Sequence, residues 1–492
     1  MAAPPLHLYW FRNDLRLHDN PGLARALAAG ARVLPVYVFD TRLFTTQVAS
    51  GFRKTGPHRA EFLRQAVTDL RERLADIGAG LVVRTSTDPA ATVADLARTQ
   101  GAVGVYGQAE ITSEETSDER ALAARLPAGC SLTLTPGKAL YHPEDLPFPP
   151  DGAPEPFRAF RKSVERLPVR EPLPEPHTVP QPAFADWGEL PTLTDLGFAP
   201  DETGSPAYPG GETAALQRLY YYLDETHLVK RYRATRNQSL GPDYSSKFSP
   251  YLAVGNLSPR LVYAEIQRYS TEQKNRGGQG VIFEMRWRDF FLYMGRKHGD
   301  RIFRAGGLKN RATDWQHDPE LFDNWRAGQT GLPFIDAHMR ELMATGFMSN
   351  RGRVNCASFL TRDYRIDWRW GAAWFENRLV DYEVCANWFN WHTQALEIYY
   401  TSAPWQGLKY DRAGAYVKHW LPELAELPAP LVHAPWKMAD EGMLDDLAFD
   451  LERDYHRPRV ENSKWDWAWQ RLKTGDASSP RRKKNKANSK DK

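Results

Sequence analysis

Five short apolar runs alternate with helical stretches over residues 1–135, and this rhythm constrains the chain more than any other feature. Leu6–Phe11, Arg32–Phe39, Leu81–Arg84, Val103–Tyr106 and Ser131–Leu134 read as strands. The clearest helix between them is Pro57–Ile77, with Leu63, Ala66, Leu70, Leu74 and Ile77 at helical spacing. Strand–helix alternation predicts a doubly wound parallel sheet, a Rossmann-like α/β domain. Such sheets bind ligands beyond the carboxyl ends of their strands. No G-x-G-x-x-G follows the first strand, so a standard dinucleotide site is not indicated.

The rhythm then stops. Residues 136–210 hold 17 of the 36 prolines, which forbid helix interiors, and read as a Pro-rich interdomain linker. Within it, Phe157–Leu167 predicts one short helix. From Gly211 the chain turns helical and rich in Arg and aromatics. Glu212–Glu225, Pro259–Tyr269, Gly280–Gly295, Pro333–Thr345, Asn350–Thr361 and Gly371–Val380 are the predicted helices. Residues 211–475 read as one all-helical domain, and 476–492 as a disordered basic tail.

Composition narrows the class. With 42% hydrophobic and 25% charged residues, the 492-residue chain is globular rather than disordered or collagen-like. No run of about 18 apolar residues offers a membrane span. The first apolar run is too short for a signal peptide, so the cytoplasm is the expected location, at the nucleoid if the source is bacterial. Cys130, Cys356 and Cys385 read as reduced thiols without metal spacing. The net charge of +3 conceals a basic segment: residues 211–420 carry +7, residues 1–210 carry −5, 421–480 carry −5 and 481–492 carry +6. Ten of the 16 tryptophans lie from Trp287 to Trp420.

Three constellations carry chemistry. In DYSSKFSP (Asp243–Pro250), hydroxyls and backbone N–H groups beside Lys247 suit a phosphate or pyrophosphate; two ordinary Ser-Pro helix caps, at Ser249 and Ser258, fit equally. In NRGR (Asn350–Arg353) and DYEVCANW (Asp381–Trp388), Arg353 can pair with Asp381 if their helices meet, and Asn387 can offer an amide to a heteroaromatic ring; a packed ion pair fits too. Trp315, Trp368 and Trp391 sit on separate elements, as core packing or as steps for an electron.

Taken together, these strings resemble the photolyase/cryptochrome flavoproteins. LYWFRNDLRLHDN (Leu8–Asn20) is similar to that family's opening strand and turn. Tyr232–Arg260, FEMRWRDF (Phe283–Phe290), TGLPFIDAHMRELMATGFMSNRGRVNCASFL (Thr330–Leu360) and Trp368–Trp391 match in order. YSSKFSP, TGFMSNRGR and DYEVCANW are most similar to the DASH subgroup.

The resemblance implies a U-shaped FAD in the helical domain. Tyr232, Ser245, Ser246, Lys247, Phe248 and Ser249 would surround its phosphates. Arg288, Asn350, Arg353, Asp381 and Glu383 would complete the cradle, and Asn387 would face the flavin. It implies a photolyase reaction, in which excited reduced flavin lends an electron to a cyclobutane pyrimidine dimer. The partner is then UV-damaged DNA, preferably single-stranded, with the protein acting as a monomer. Trp287 would stack under the lesion and Glu284 would hydrogen-bond it. Trp391, Trp368 and Trp315 would form the photoreduction chain. An antenna folate, methenyltetrahydrofolate, would be held by Glu110, which otherwise reads as a solvated acid at a helix start.

This chain also departs from the family pattern. Glu383 stands where an Asp is common, and Val354 where the DASH pattern has Gln. Thr393 stands where dimer photolyases carry a second stacking Trp. His392–Gln406 leaves the usual run. Neither Val354 nor Asn355 is the His that (6-4) photolyases use, so that activity is not expected. Two alternatives stand beside repair: a cryptochrome that signals through flavin photoreduction, and a plain nucleic-acid-binding protein that would purify colourless.

Overall fold

The computed structural model describes residues 4–478, apart from 29, 49–50 and 398–399. The predicted tail from 479 onward lies outside the described residues. Five parallel strands form one sheet in the order β3-β2-β1-β4-β5. They are β1 (Leu6–Phe11), β2 (Arg32–Asp40), β3 (Val82–Ser86), β4 (Gly104–Gln108) and β5 (Ser131–Thr135). Each lies within two residues of its predicted span. β1 is central and buried throughout, which explains its unbroken apolar run. The sheet's crossovers include α1 (Pro21–Ala28), α2 (Pro57–Asp76), α3 (Pro89–Gln100) and α4 (Ser113–Arg125).

Residues 136–210 run over the molecule and carry one helix of this length class, α5 (Phe157–Val164). The segment is tied to both sides. Val33 and Val83 of the sheet donate to Pro180 and Trp187 carbonyls at 2.7 and 2.8 Å. Leu140 and Tyr141 N–H groups donate to the buried Asp289 carboxylate at 2.9 Å each.

The rest is helical. The longer elements are α6 (Glu212–Tyr220), α7 (Pro259–Glu272), α8 (Gln279–His298), α9 (Pro319–Arg326), α10 (Pro333–Thr345), α11 (Asn350–Arg362), α12 (Trp368–Arg378), α13 (Val384–Leu396), α14 (Ala403–Tyr410) and α15 (Lys464–Thr474). Several predicted ends shift by three residues or more, and two have a clear local cause. α6 stops at Tyr220 and continues as a π-turn over Tyr221–Glu225, where Thr226 donates to the Tyr221 carbonyl instead of extending the helix. α12 begins at Trp368 because Asp367 caps it, accepting from the Arg369 N–H.

The turn after β1 locks the sheet onto the helices. Leu15 donates to the Val254 carbonyl at 3.2 Å and Arg16 to the Gly255 carbonyl at 2.9 Å. Gly255 has φ +78°, and a Cβ there would lie 2.2 Å from the Asn13 carbonyl, so only glycine fits. Fully buried Glu212 accepts from the Leu17 and His18 N–H groups and from Arg73, at 2.8 to 2.9 Å. Burial alone would raise that carboxyl, but the His18 and Arg73 contacts hold it below its ordinary value. Among the described residues, no helix is long and apolar enough to cross a membrane.

Candidate functional site

A cavity of about 610 Å³ opens among α8, α11, α12, α13 and the stretch from Tyr244 to Ala253. Its size falls within the range of ligand and cofactor sites. Its walls gather the sequence candidates: every expected FAD contact lines it, and so do Glu284, Trp287 and Trp391, while Glu110, expected to hold the folate, does not.

One end is polar. Arg353 of α11 donates to both Asp381 oxygens, at 2.9 and 2.7 Å, so the two helical segments do meet as required. Ser249 donates to the same carboxylate at 2.7 Å. Arg218 of α6 holds the Ser245 and Ser246 carbonyls at 3.1 and 2.9 Å, which fixes the turn they form. Lys247 has a left-handed φ of +59° and is 3% exposed. Its ammonium lies 3.3 Å from the Tyr244 ring centroid and 4.3 Å from that of Phe347. Glu383 caps α13 by accepting from the Ala386 N–H at 2.8 Å, as an Asp there could also do. Asn387 donates to the Ala372 carbonyl at 3.0 Å, leaving its amide oxygen as the free polar end.

Burial pushes Lys247 down to about 7, despite the opposing pull of nearby Glu341. Its ordinary value is 10.5. Between these two values the unfolded lysine binds a proton that the folded one has released. The cofactor-free protein should therefore gain stability as pH rises from about 7 toward 10, and Lys247→Met should flatten that rise. Thermal melting against pH checks this; an unchanged slope in the variant would remove Lys247 as its source. Glu341, accepting from Tyr416 at 2.6 Å, is itself raised to about 7 by burial and acts in a lower window.

The other wall is aromatic. Trp287 stacks face to face on Phe157 of α5, with centroids 3.6 Å apart and planes 13° apart. Glu284 is ion-paired with Arg236 at the rim. Thr393 donates to the Phe389 carbonyl at 2.8 Å and, like Val354, lines the cavity without offering a ring.

Trp368 and Trp315 lie outside the cavity lining. Trp391 reaches α12 at Gly371, where a Cβ would lie 2.2 Å from its indole. Trp368 is fully buried, and both it and Trp315 donate to the Ala305 carbonyl, at 3.0 and 3.4 Å. Trp315 is only partly buried. Trp391 thus lines the cavity, Trp368 is buried behind it and Trp315 is the most exposed of the three.

Glu110 stands apart, after β4 and before α4, and the solvated-acid reading is overturned. It is buried, ion-paired with Lys138 and bonded by Asn13 at 3.2 Å. Burial alone would raise its carboxyl, yet Lys138 and Arg12 hold it below the ordinary value. It lines a small cavity of about 50 Å³ with Lys138, Arg260 and Tyr293.

Sequence reasoning missed Arg218, Arg236, Phe157 and Glu341. Each comes from a segment remote from the motif it serves, so no local spacing signals it. The Tyr244 hydroxyl and both Gln394 amide atoms are buried and unpartnered among the described residues. With the caged Lys247 and the apolar floor, they fit a large ligand having acceptors, an anionic part and a ring system.

The fold and cavity thus define a two-part protein: a parallel sheet joined to a helical body that holds one large cofactor-sized cavity. Residues 281–472 match the FAD binding domain of DNA photolyase, and residues 7–179 match the DNA photolyase model. The chain is 46% identical over 443 residues to a cryptochrome DASH of Gloeobacter violaceus, covering 88% of each chain. The solved cryptochrome of Synechocystis superposes with a TM-score of 0.89 at 42% identity, covering 97% of this chain and 100% of that one. A class III photolyase of Agrobacterium tumefaciens gives 0.82 at 27% identity, covering 96% and 97%. The chain belongs to the photolyase/cryptochrome family, in its cryptochrome DASH group.

Proposed function

We propose that this protein splits cyclobutane pyrimidine dimers in DNA under blue light, with single-stranded DNA as the preferred substrate. The observation that carries the reading is one cavity holding both a diphosphate-competent end, at Arg353, Ser249 and Lys247, and a lesion-competent wall, at Trp287 and Glu284. FAD, when bound and fully reduced, supplies the electron that opens the dimer and takes it back. The protein's own part is positional. The cavity-side face of Trp287 stacks on the extruded bases while Phe157 braces the other face. Glu284 accepts from a base N–H once Arg236 lets go of it. Apolar walls from Val281, Met285 and Phe291 keep water from the reacting bases. Extrusion is easiest from a single strand or at a damaged base. The protein would act as a monomer, in the cytoplasm or on the nucleoid.

Illumination of reduced protein with dimer-containing single- and double-stranded oligonucleotides tests this. Recovery of thymine absorbance is expected, faster on the single strand; no recovery on either would end the repair reading. A second reading is light signalling by flavin photoreduction. Val354 and Thr393 favour it, since they remove lesion contacts while leaving Trp391 in place.

An antenna folate at Glu110 belongs to the same proposal. A pterin there must displace the Lys138 ammonium from Glu110 and widen the small cavity. Glu110→Gln should retain FAD and lose the near-UV folate band after reconstitution. A wild-type protein that takes up no folate would remove the role.

A further inference from the structure

We propose that α5, the one long helix of the 136–210 segment, is a track for the DNA strand that flanks the bases taken at Trp287, with its outer cations binding backbone phosphates. The inference rests on the DNA reading above and adds a surface to it.

The helix has two faces with two uses. Phe157, Phe160 and Val164 are buried at helical spacing. Phe157 braces Trp287, and Phe160 lies 5.6 Å from Phe290 between ring centroids. The opposite face carries Arg158 and Lys162, with Arg166 just past the helix end, and all three are exposed. Among the described residues, none of the three enters a hydrogen bond, ion pair or cation–π contact. The neighbouring acids are already engaged: Glu155 by Lys297 at 2.9 Å, and Glu165 by Arg161 at 3.4 Å. The positive charge therefore faces solvent uncompensated, inside a 210-residue stretch whose net charge is −5.

Position supplies the rest. Arg161 lies 5.8 Å over the ring of Phe283, a residue of the cavity wall, so the helix stands at the rim. Its inner end touches Trp287 itself. A strand whose bases stack on Trp287 must leave the cavity past this rim. Three unpaired cations along about 12 Å of helix suit a polyanionic backbone leaving that way.

The test uses the full-length holoprotein and a triple variant, Arg158→Gln, Lys162→Gln and Arg166→Gln. Its control is Arg25→Gln, Arg98→Gln and Arg120→Gln on the sheet's helices. Retained FAD absorbance and melting temperature report folding. Two probes are bound: a bare thymine-dimer dinucleotide, and a single-stranded oligonucleotide with that dimer at its centre. The α5 variant should lose roughly 2 from the salt slope for the oligonucleotide, about 0.7 per cation on a single strand, and about tenfold or more in affinity near 0.1 M salt. Its dinucleotide affinity and the control's behaviour should stay at wild-type level. Equal losses in the control would reduce the effect to net charge and overturn the proposal. An unchanged oligonucleotide slope would overturn it outright, as would a parallel loss of dinucleotide binding. Wild-type protein that binds neither probe would instead overturn the DNA reading beneath it.

Discussion

Trp391→Phe is expected to slow light-driven reduction of the bound flavin by more than an order of magnitude, with the flavin still in place. Trp391 is the member of the tryptophan set that lines the cavity. Its indole packs against Gly371 of α12, and Trp368, the first residue of that helix, is fully buried one turn away. Trp315 shares the Ala305 carbonyl with Trp368 and is only partly buried. The route thus begins at the cavity and ends near solvent. Phenylalanine keeps the ring contact that Trp391 makes with Phe375, at 5.0 Å, but is far harder to oxidise than indole. Flavin absorbance before illumination measures occupancy, and its bleaching under blue light measures reduction. Undiminished bleaching in the variant would take Trp391 off the route.

Trp287→Ala is expected to weaken binding of a dimer-containing single strand by about 10- to 100-fold, because a base–aromatic stack is worth ~1–3 kcal/mol. The upper end is expected, for two reasons. Thr393 supplies no ring at its position, so the stacking there falls on Trp287. The substitution also strips Phe157 of its stacking partner, 3.6 Å away, so the rim itself loses support. Trp287→Phe should recover part of the affinity, and FAD should remain bound in both variants. Fluorescence anisotropy with lesion-containing and lesion-free oligonucleotides separates stacking from general DNA binding. Equal affinities for the two probes in the wild type would sink the lesion contact, whatever the variants did.

The sheet was legible because its strands announce themselves. β1 is buried along all six residues, and such a run has no reading but a central parallel strand. The polar cluster at one end of the cavity was legible for a different reason: Arg353, Asp381 and Ser249 lie in long motifs, and their pairing needs only that two segments meet. Glu383 shows where this ends. Its identity was plain, but its use as a helix cap depends on the φ/ψ of one residue. Lys247 shows the other limit. The sequence offers a cation to a phosphate, while the fold first wraps it in Tyr244 and Phe347, supplied by different segments. The alternative reading of Glu110 as a solvated acid failed because no spacing brings Lys138 to it; the parallel sheet does that by placing both after neighbouring strand ends. Phe157 was legible as part of a short helix but not as a site residue, since nothing local brings that helix to Trp287.

The turn after β1 has an evolutionary corollary. Glu212 sits at the start of the helical body, yet its donors Leu17, His18 and Arg73 all come from the sheet. Gly255 is equally shaped by a neighbour from the other half, the Asn13 carbonyl. With the sheet domain in place but its Leu17, His18 or Arg73 contacts mismatched, Glu212 would be left a buried carboxylate without the groups that neutralise it, and unpaired buried charge is strongly destabilising. Recombination that exchanges one half for a distant relative's would meet the same mismatch unless both sides of this seam travelled together. The seam is therefore one physical unit, in which a residue change on either side is felt by the other.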